Sequence, residues 1–181
     1  WAEAYGEEHL WIIPKAKELG FEVIDFAISN PFTFPVEKVK AELERVGIDC
    51  VCTTTLTPET NPISPDAEIR AAGVKAMKKC VDICNELGAP ILGGVNYAGW
   101  GYLTKKPRTE EEWNWGVECM REVAEYAKET GDVTICVECV NRFETHFLNI
   151  AEDAVAFCKD VGTGNVKVHL DCFHMIREEK S

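Results

Sequence analysis

Five stretches of the chain are short, hydrophobic and rich in β-branched residues: 22–29, 49–55, 90–96, 133–141 and 165–174. Each has the length of a strand, and each is separated from the next by a longer segment that carries helix punctuation. Ser64-Pro65-Asp66 supplies a cap, a proline for the first turn and an acid for the positive helix end, and Leu87-Gly88 closes that helix. Thr109 with Glu112 reads as a capping box for a helix ending near Gly131, and Asn149 with Glu152 as the start of another ending near Gly162. Thr33 to Val46 is a further helix, with Pro35 in its first turn and Gly47 just beyond. Leu10 to Leu19 has helical periodicity around Pro14, which either kinks the helix or begins it.

The order α-β-α-β-α-β-α-β-α-β predicts parallel β/α architecture. A complete barrel of that kind takes about 250 residues and eight strands, whereas this chain has 181 residues. It opens on Trp1 without a strand before its first helix and stops at Arg177-Glu178-Glu179-Lys180-Ser181, directly after a strand. The expectation is a single domain over 1–181, incomplete at both ends, with five strands of a (β/α)8 barrel.

Alternation within the last two strands aims their chemistry. In Val166 to Asp171, Val166, Val168 and Leu170 share one face, and Lys167, His169 and Asp171 share the other. Helices cover the outside of a parallel barrel, so the apolar set faces them and Asp171 points inward at the rim. The same reasoning sends Ile135, Val137 and Cys139 outward, and Cys136 and Glu138 inward. Two inward carboxylates at one level on strands roughly 4.8 Å apart repel unless a cation or proton lies between them. Oxygen and nitrogen donors of this kind favour Mg, Mn or Co-type sites. The plain alternative is that each acid caps a helix or pairs with an arginine. Glu144 and His174 follow on the loops just past the two strands, where substrate-contacting residues of β/α proteins lie.

Charge and cysteine content narrow the classes. A net charge of −12 repels nucleic acid and anionic lipid. No apolar run approaches the roughly 20 residues of a membrane span, which predicts a soluble globular chain. Nine cysteines, an odd number set inside strand-like and helix-like runs, read as reduced, mostly buried thiols of a cytoplasmic protein. Cys136 and Cys139 stand three apart on a strand and so point to opposite faces, which does not suit one zinc ion.

Val137-Glu138-Cys-Val-Asn141-Arg142-Phe143-Glu144, Leu148-Asn149, Val155-Ala156-Phe157, Val161-Gly162, Asn165-Val166-Lys167-Val168 and Leu170-Asp171-Cys-Phe173-His174-Met175 closely resemble the D-tagatose 3-epimerase / D-psicose (allulose) 3-epimerase family. Leu19-Gly20-Phe21, Arg70-Ala-Ala-Gly73 and Gly93-Gly94 extend the resemblance over nearly the whole chain. It implies a xylose-isomerase-like barrel that binds Mn²⁺, Co²⁺ or Mg²⁺ and inverts C3 of ketohexoses. By resemblance, Glu138 is a metal ligand and one of two acid/base carboxylates, and Asp171 is a second ligand. Glu144 and His174 then hold the carbonyl end of the sugar, and Trp100 resembles the aromatic that packs against it, although plain loop packing also accounts for an isolated aromatic.

Taking a proton from a carbon beside a ketone builds negative charge, which a cation bridging two substrate oxygens stabilises. The family supplies the second acid, a His ligand and a substrate-binding Arg from later strands, beyond Ser181, so the piece alone is expected to be inactive. His9 and His146 match none of those roles and read as surface or packing residues. His169 stands where the family has an apolar residue; it reads either as a buried, satisfied histidine or as a partner of Asp171. Ile176-Arg177-Glu178-Glu179 also departs from the family's usual Asn-Ile-Glu-Glu after the methionine. The reading is a metal-dependent ketose 3-epimerase acting on D-fructose, D-psicose or D-tagatose, homo-oligomeric when whole. The alternatives are another isomerase or epimerase of the superfamily, hydroxypyruvate isomerase-like or acting on sugar phosphates, and a non-catalytic sugar-binding module.

Overall fold

The computed structural model describes residues 5–180, so Trp1 and Ser181 lie outside it. Five parallel strands, β1 (Val23–Ala27), β2 (Asp49–Leu56), β3 (Ile91–Gly99), β4 (Thr134–Cys139) and β5 (Val166–Leu170), form one sheet. Its order is β1-β2-β3-β4-β5. Every strand pairs with its sequence neighbour, as in a barrel; a doubly wound sheet would reverse direction at a switch point. Among the described residues the α-helices are α1 (Ile12–Glu18), α2 (Val36–Val46), α3 (Ala67–Leu87), α4 (Glu110–Thr130), α5 (Ala151–Val161) and α6 (Cys172–Glu178).

The predicted alternation holds on β4. Ile135, Val137 and Cys139 are buried, whereas Cys136 and Glu138 between them are only half-buried. The buried set belongs to the core that includes Val123, Ala124 and Ala127 of α4 and Ala154, Phe157 and Val161 of α5. A cavity of about 360 Å³ lies against the opposite face, with Asp25, Thr53, Gly93, Cys136 and His169 among its lining. Gly94 has φ of 102°, and a Cβ there would stand 2.2 Å from the Thr54 carbonyl oxygen, so the close approach of β2 and β3 requires glycine.

The helix ends show where local rules gave way to tertiary ones. Thr109 and Glu112 form the expected capping box. For α3 the cap is Asp66, which accepts from the Glu68 N–H at 2.8 Å, not Ser64. The residue before a proline is pushed toward extended backbone, and the Ser64 hydroxyl instead accepts from the Asp66 N–H. Asn149 does not cap α5; its amide donates to the carbonyls of Val140 and Thr145 at 2.8 and 2.9 Å. Glu179 takes that place from 28 residues downstream, accepting from the Ala151 N–H at 2.7 Å. Pro14 neither kinks nor begins α1; it sits in the first turn, where backbone N–H groups have no intrahelical acceptor to lose. The chain also does not stop bare after its last strand, because α6 follows β5 at once. All nine cysteines are free thiols, and among the described residues no helix is long and apolar enough to cross a membrane.

Candidate metal and substrate site

Glu138 is the last residue but one of β4 and Asp171 follows β5, so both stand at the carboxyl edge of the sheet. The two are not level: Glu138 pairs in register with His169, which puts Asp171 two residues further along its strand. The longer glutamate side chain reaches across the stagger. One ligand atom each from Glu138, Asp171 and His174 lie within 4.8 Å of one another. The plain alternative for Asp171 is also true, since its Oδ1 caps α6 by accepting from the Phe173 N–H at 2.7 Å.

His174 is brought in by α6 and is buried. Its Nδ1 accepts from the Asn141 backbone N–H at 3.1 Å, which leaves Nε2 to carry the ring proton. That nitrogen points at Glu138 Oε1, 3.8 Å away. Asn141, given no role in the sequence reading, is the hub of this corner. Its buried amide donates to Glu144 Oε1 at 2.8 Å and lies 2.9 Å from His174 Nδ1. Its sequence signal is its place in the Asn141-Arg142-Phe143-Glu144 motif, two residues past the end of β4. Glu144 accepts a second bond through Oε2 from the Trp100 indole N–H at 2.9 Å, and the Trp100 ring stays half exposed. The structure thus gathers Glu138, Asp171, His174, Glu144 and Trp100 at one edge.

Burial pushes the Glu138 carboxyl above its ordinary range; His169 and His174 oppose that shift, while Asp171 and Glu144 add to it. His169 is not the buried, satisfied histidine that its strand position favoured. Its side chain is 41% exposed, and Nδ1 faces Glu138 Oε2 at 3.8 Å, so its neighbour is Glu138. Asp25 on β1 also faces this interior and accepts from the Thr53 hydroxyl at 3.2 Å; burial pushes its carboxyl above the ordinary range, which the Thr53 bond and then His169 oppose. Asp25 is the single polar residue of β1, which reads as ordinary alternation.

The donor set fits a hard divalent cation. Two carboxylates converge where burial first, and then their mutual repulsion, raises the proton affinity of Glu138, and Asp171 is already aimed by its cap. A model for the xylose isomerase-like TIM barrel matches residues 13–181.

The chain belongs to the xylose isomerase-like TIM barrel family.

Among its relatives in that family, an L-ribulose 3-epimerase of Mesorhizobium japonicum is 32% identical over 167 residues, 92% of this chain and 56% of the relative. A D-psicose 3-epimerase of Ruminiclostridium cellulolyticum is 34% identical over 185 residues, 100% of this chain and 63% of the relative. The crystal structure of a Methylomonas sp. D-allulose 3-epimerase in complex with D-allulose superposes with a TM-score of 0.94 at 28% identity, covering 100% of this chain and 62% of that one. The chain therefore spans about six-tenths of the length of these xylose isomerase-like relatives.

Proposed function

We propose that the whole protein is a divalent-cation-dependent ketose 3-epimerase and that residues 1–181 are part of its single barrel domain. The observation that carries this is the convergence of Glu138, Asp171 and His174 at the sheet edge, in a chain whose relatives are ketose 3-epimerases. Glu138 and Asp171 hold Mn²⁺, Co²⁺ or Mg²⁺, which when bound supplies positive charge beside the sugar's oxygens.

Glu138 then takes the C3 proton. Burial raises the proton affinity of that carboxyl group in the metal-free chain, and a cation beside it would lower it again. His174 donates from Nε2 to the carbonyl end of the ketose, its tautomer set by the Asn141 N–H. Glu144, fixed by the Asn141 amide and the Trp100 indole, accepts from a sugar hydroxyl, and the Trp100 ring forms an apolar wall. Inversion also needs an acid on the opposite face of C3, which the family supplies from a later strand.

The test is the whole protein assayed with Mn²⁺ against free and phosphorylated ketoses, together with C3 deuterium exchange in D₂O. Turnover of free ketohexoses with exchange supports the reading. Turnover of phosphosugars alone rejects it in favour of another isomerase of the superfamily. Ketose binding without metal and without exchange rejects it in favour of a sugar-binding module.

A further inference from the structure

His146 lies on the loop between β4 and α5, and of the two readings that its lack of a family role left, surface or packing, it takes the second, with its ring 5.9 Å from that of Tyr102. Its side chain and that of Glu112 are each 9% exposed, and both ring nitrogens are engaged. Nδ1 lies 3.1 Å from the Tyr102 carbonyl oxygen, and Nε2 lies 3.1 Å from Glu112 Oε1. A carbonyl only accepts, so Nδ1 donates to it, and Nε2 faces the carboxyl group. The other Glu112 oxygen is committed to helix capping, accepting from the Thr109 N–H at 2.8 Å.

One buried carboxyl group therefore joins the start of α4 to the β4–α5 loop, and His146 extends that tie to the beginning of the β3–α4 loop. A capping box needs only its own glutamate; the histidine adds nothing to capping, and its burial with a carboxyl group costs desolvation. What the arrangement does add is a bracket on the two loops that bear Trp100 and Glu144. These residues lie two positions from Tyr102 and His146 respectively. The same loops meet again through the Gly101 N–H donating to the Glu144 carbonyl at 2.8 Å.

We propose that His146 and Glu112 are positioning residues that hold the 100–109 loop in place, so that Trp100 and Glu144 stay aimed at the sugar. The sugar-facing part of this rests on the function proposed above; the bracket itself does not.

The experiment uses the whole protein with His146→Leu, His146→Asn and His146→Gln. The Asn amide can replace Nδ1 and keep the Tyr102 bond, and the Gln amide can replace Nε2 and keep the Glu112 bond. Hydrogen exchange is followed in the 100–109 and 67–87 peptides, and ketose kinetics are measured with Mn²⁺. With His146→Leu, exchange in 100–109 is expected to rise about tenfold or more while 67–87 is unchanged. KM is expected to rise about tenfold with kcat within about twofold, and the Asn and Gln variants to fall between. Unchanged exchange in 100–109, equal acceleration in 67–87, or a faster-exchanging loop with unaltered KM would each overturn the proposal. A wild-type protein without ketose turnover rejects the proposed function instead, and exchange alone then decides whether the bracket exists.

Discussion

The Trp100 indole N–H donates to Glu144 Oε2 at 2.9 Å, joining the loop after β3 to the loop after β4 across 44 residues of sequence. Trp100→Phe removes that donor and keeps an aromatic ring. A hydrogen bond to a charged group, partly open to solvent, corresponds to a KM increase of about tenfold, with little change in kcat. Steady-state kinetics on the whole protein measure this; an unchanged KM would mean that Glu144 is held by Asn141 alone.

Glu138→Gln is expected to abolish C3 deuterium exchange and, in metal-free protein, to raise Tm at neutral pH. The sign follows from the carboxyl group's raised folded-state pKa, caused first by burial. Such a group favours the folded state below its unfolded pKa, and that contribution is lost as pH rises through the folded value. Metal-free wild type should therefore lose ground to the variant between the ordinary glutamate range and neutrality. Parallel Tm curves for the two proteins across that interval would contradict this.

Arg142 and Glu178 give the opposite pH dependence. The Arg142 side chain and backbone N–H both donate to the Glu178 carboxylate, at 2.7–3.1 Å, and hold its pKa below the ordinary value. The stabilisation is present above the unfolded pKa and disappears as pH falls through the folded one. The Tm deficit of Glu178→Gln should be constant near neutrality and shrink below about pH 4. A deficit that persists in acid would assign the effect to packing.

Gly73 lies inside α3, where alanine is ordinarily the better helix former by about 1 kcal/mol. Here a Cβ would stand 2.4 Å from the backbone oxygen of Thr60, in the short turn Pro58–Thr60 that follows β2. Gly73→Ala should therefore lower stability by about 1–3 kcal/mol in urea denaturation of the whole protein. A gain in stability would show that the turn yields freely.

The strands and the alternation of β4 that aims Glu138 inward were legible in the sequence, because a strand covered on one face by helices must alternate; on β5 Leu170, expected beneath the helices, is 45% exposed instead. The stagger of the two acids was not, since inter-strand register follows from pairing and not from the pattern within one strand. Asn149 looked like a cap by spacing alone, yet its amide found nearer carbonyls and Glu179 arrived from another helix. His146 with Glu112 and Asn141 with His174 are pairs 34 and 33 residues apart, and nothing local marks such partners. Helix α6 has seven residues, and its first three, Cys172 to His174, fall in the 165–174 run that reads as extended but whose strand ends at Leu170.

That brevity matters for the site. An isolated helix of two turns is unstable in water, so α6 persists through what its side chains hold. His174 takes the Asn141 N–H, Glu178 takes Arg142, and Glu179, the residue just past the helix, takes Ala151. Asp171 and His174 therefore open together, and that opening would withdraw the proposed cation ligand and the proposed sugar donor in a single event. The free energy of opening sets a ceiling on how tightly those two groups stay organised, and a cation bound at Asp171 would raise that free energy by the same amount that closure of α6 raises cation affinity.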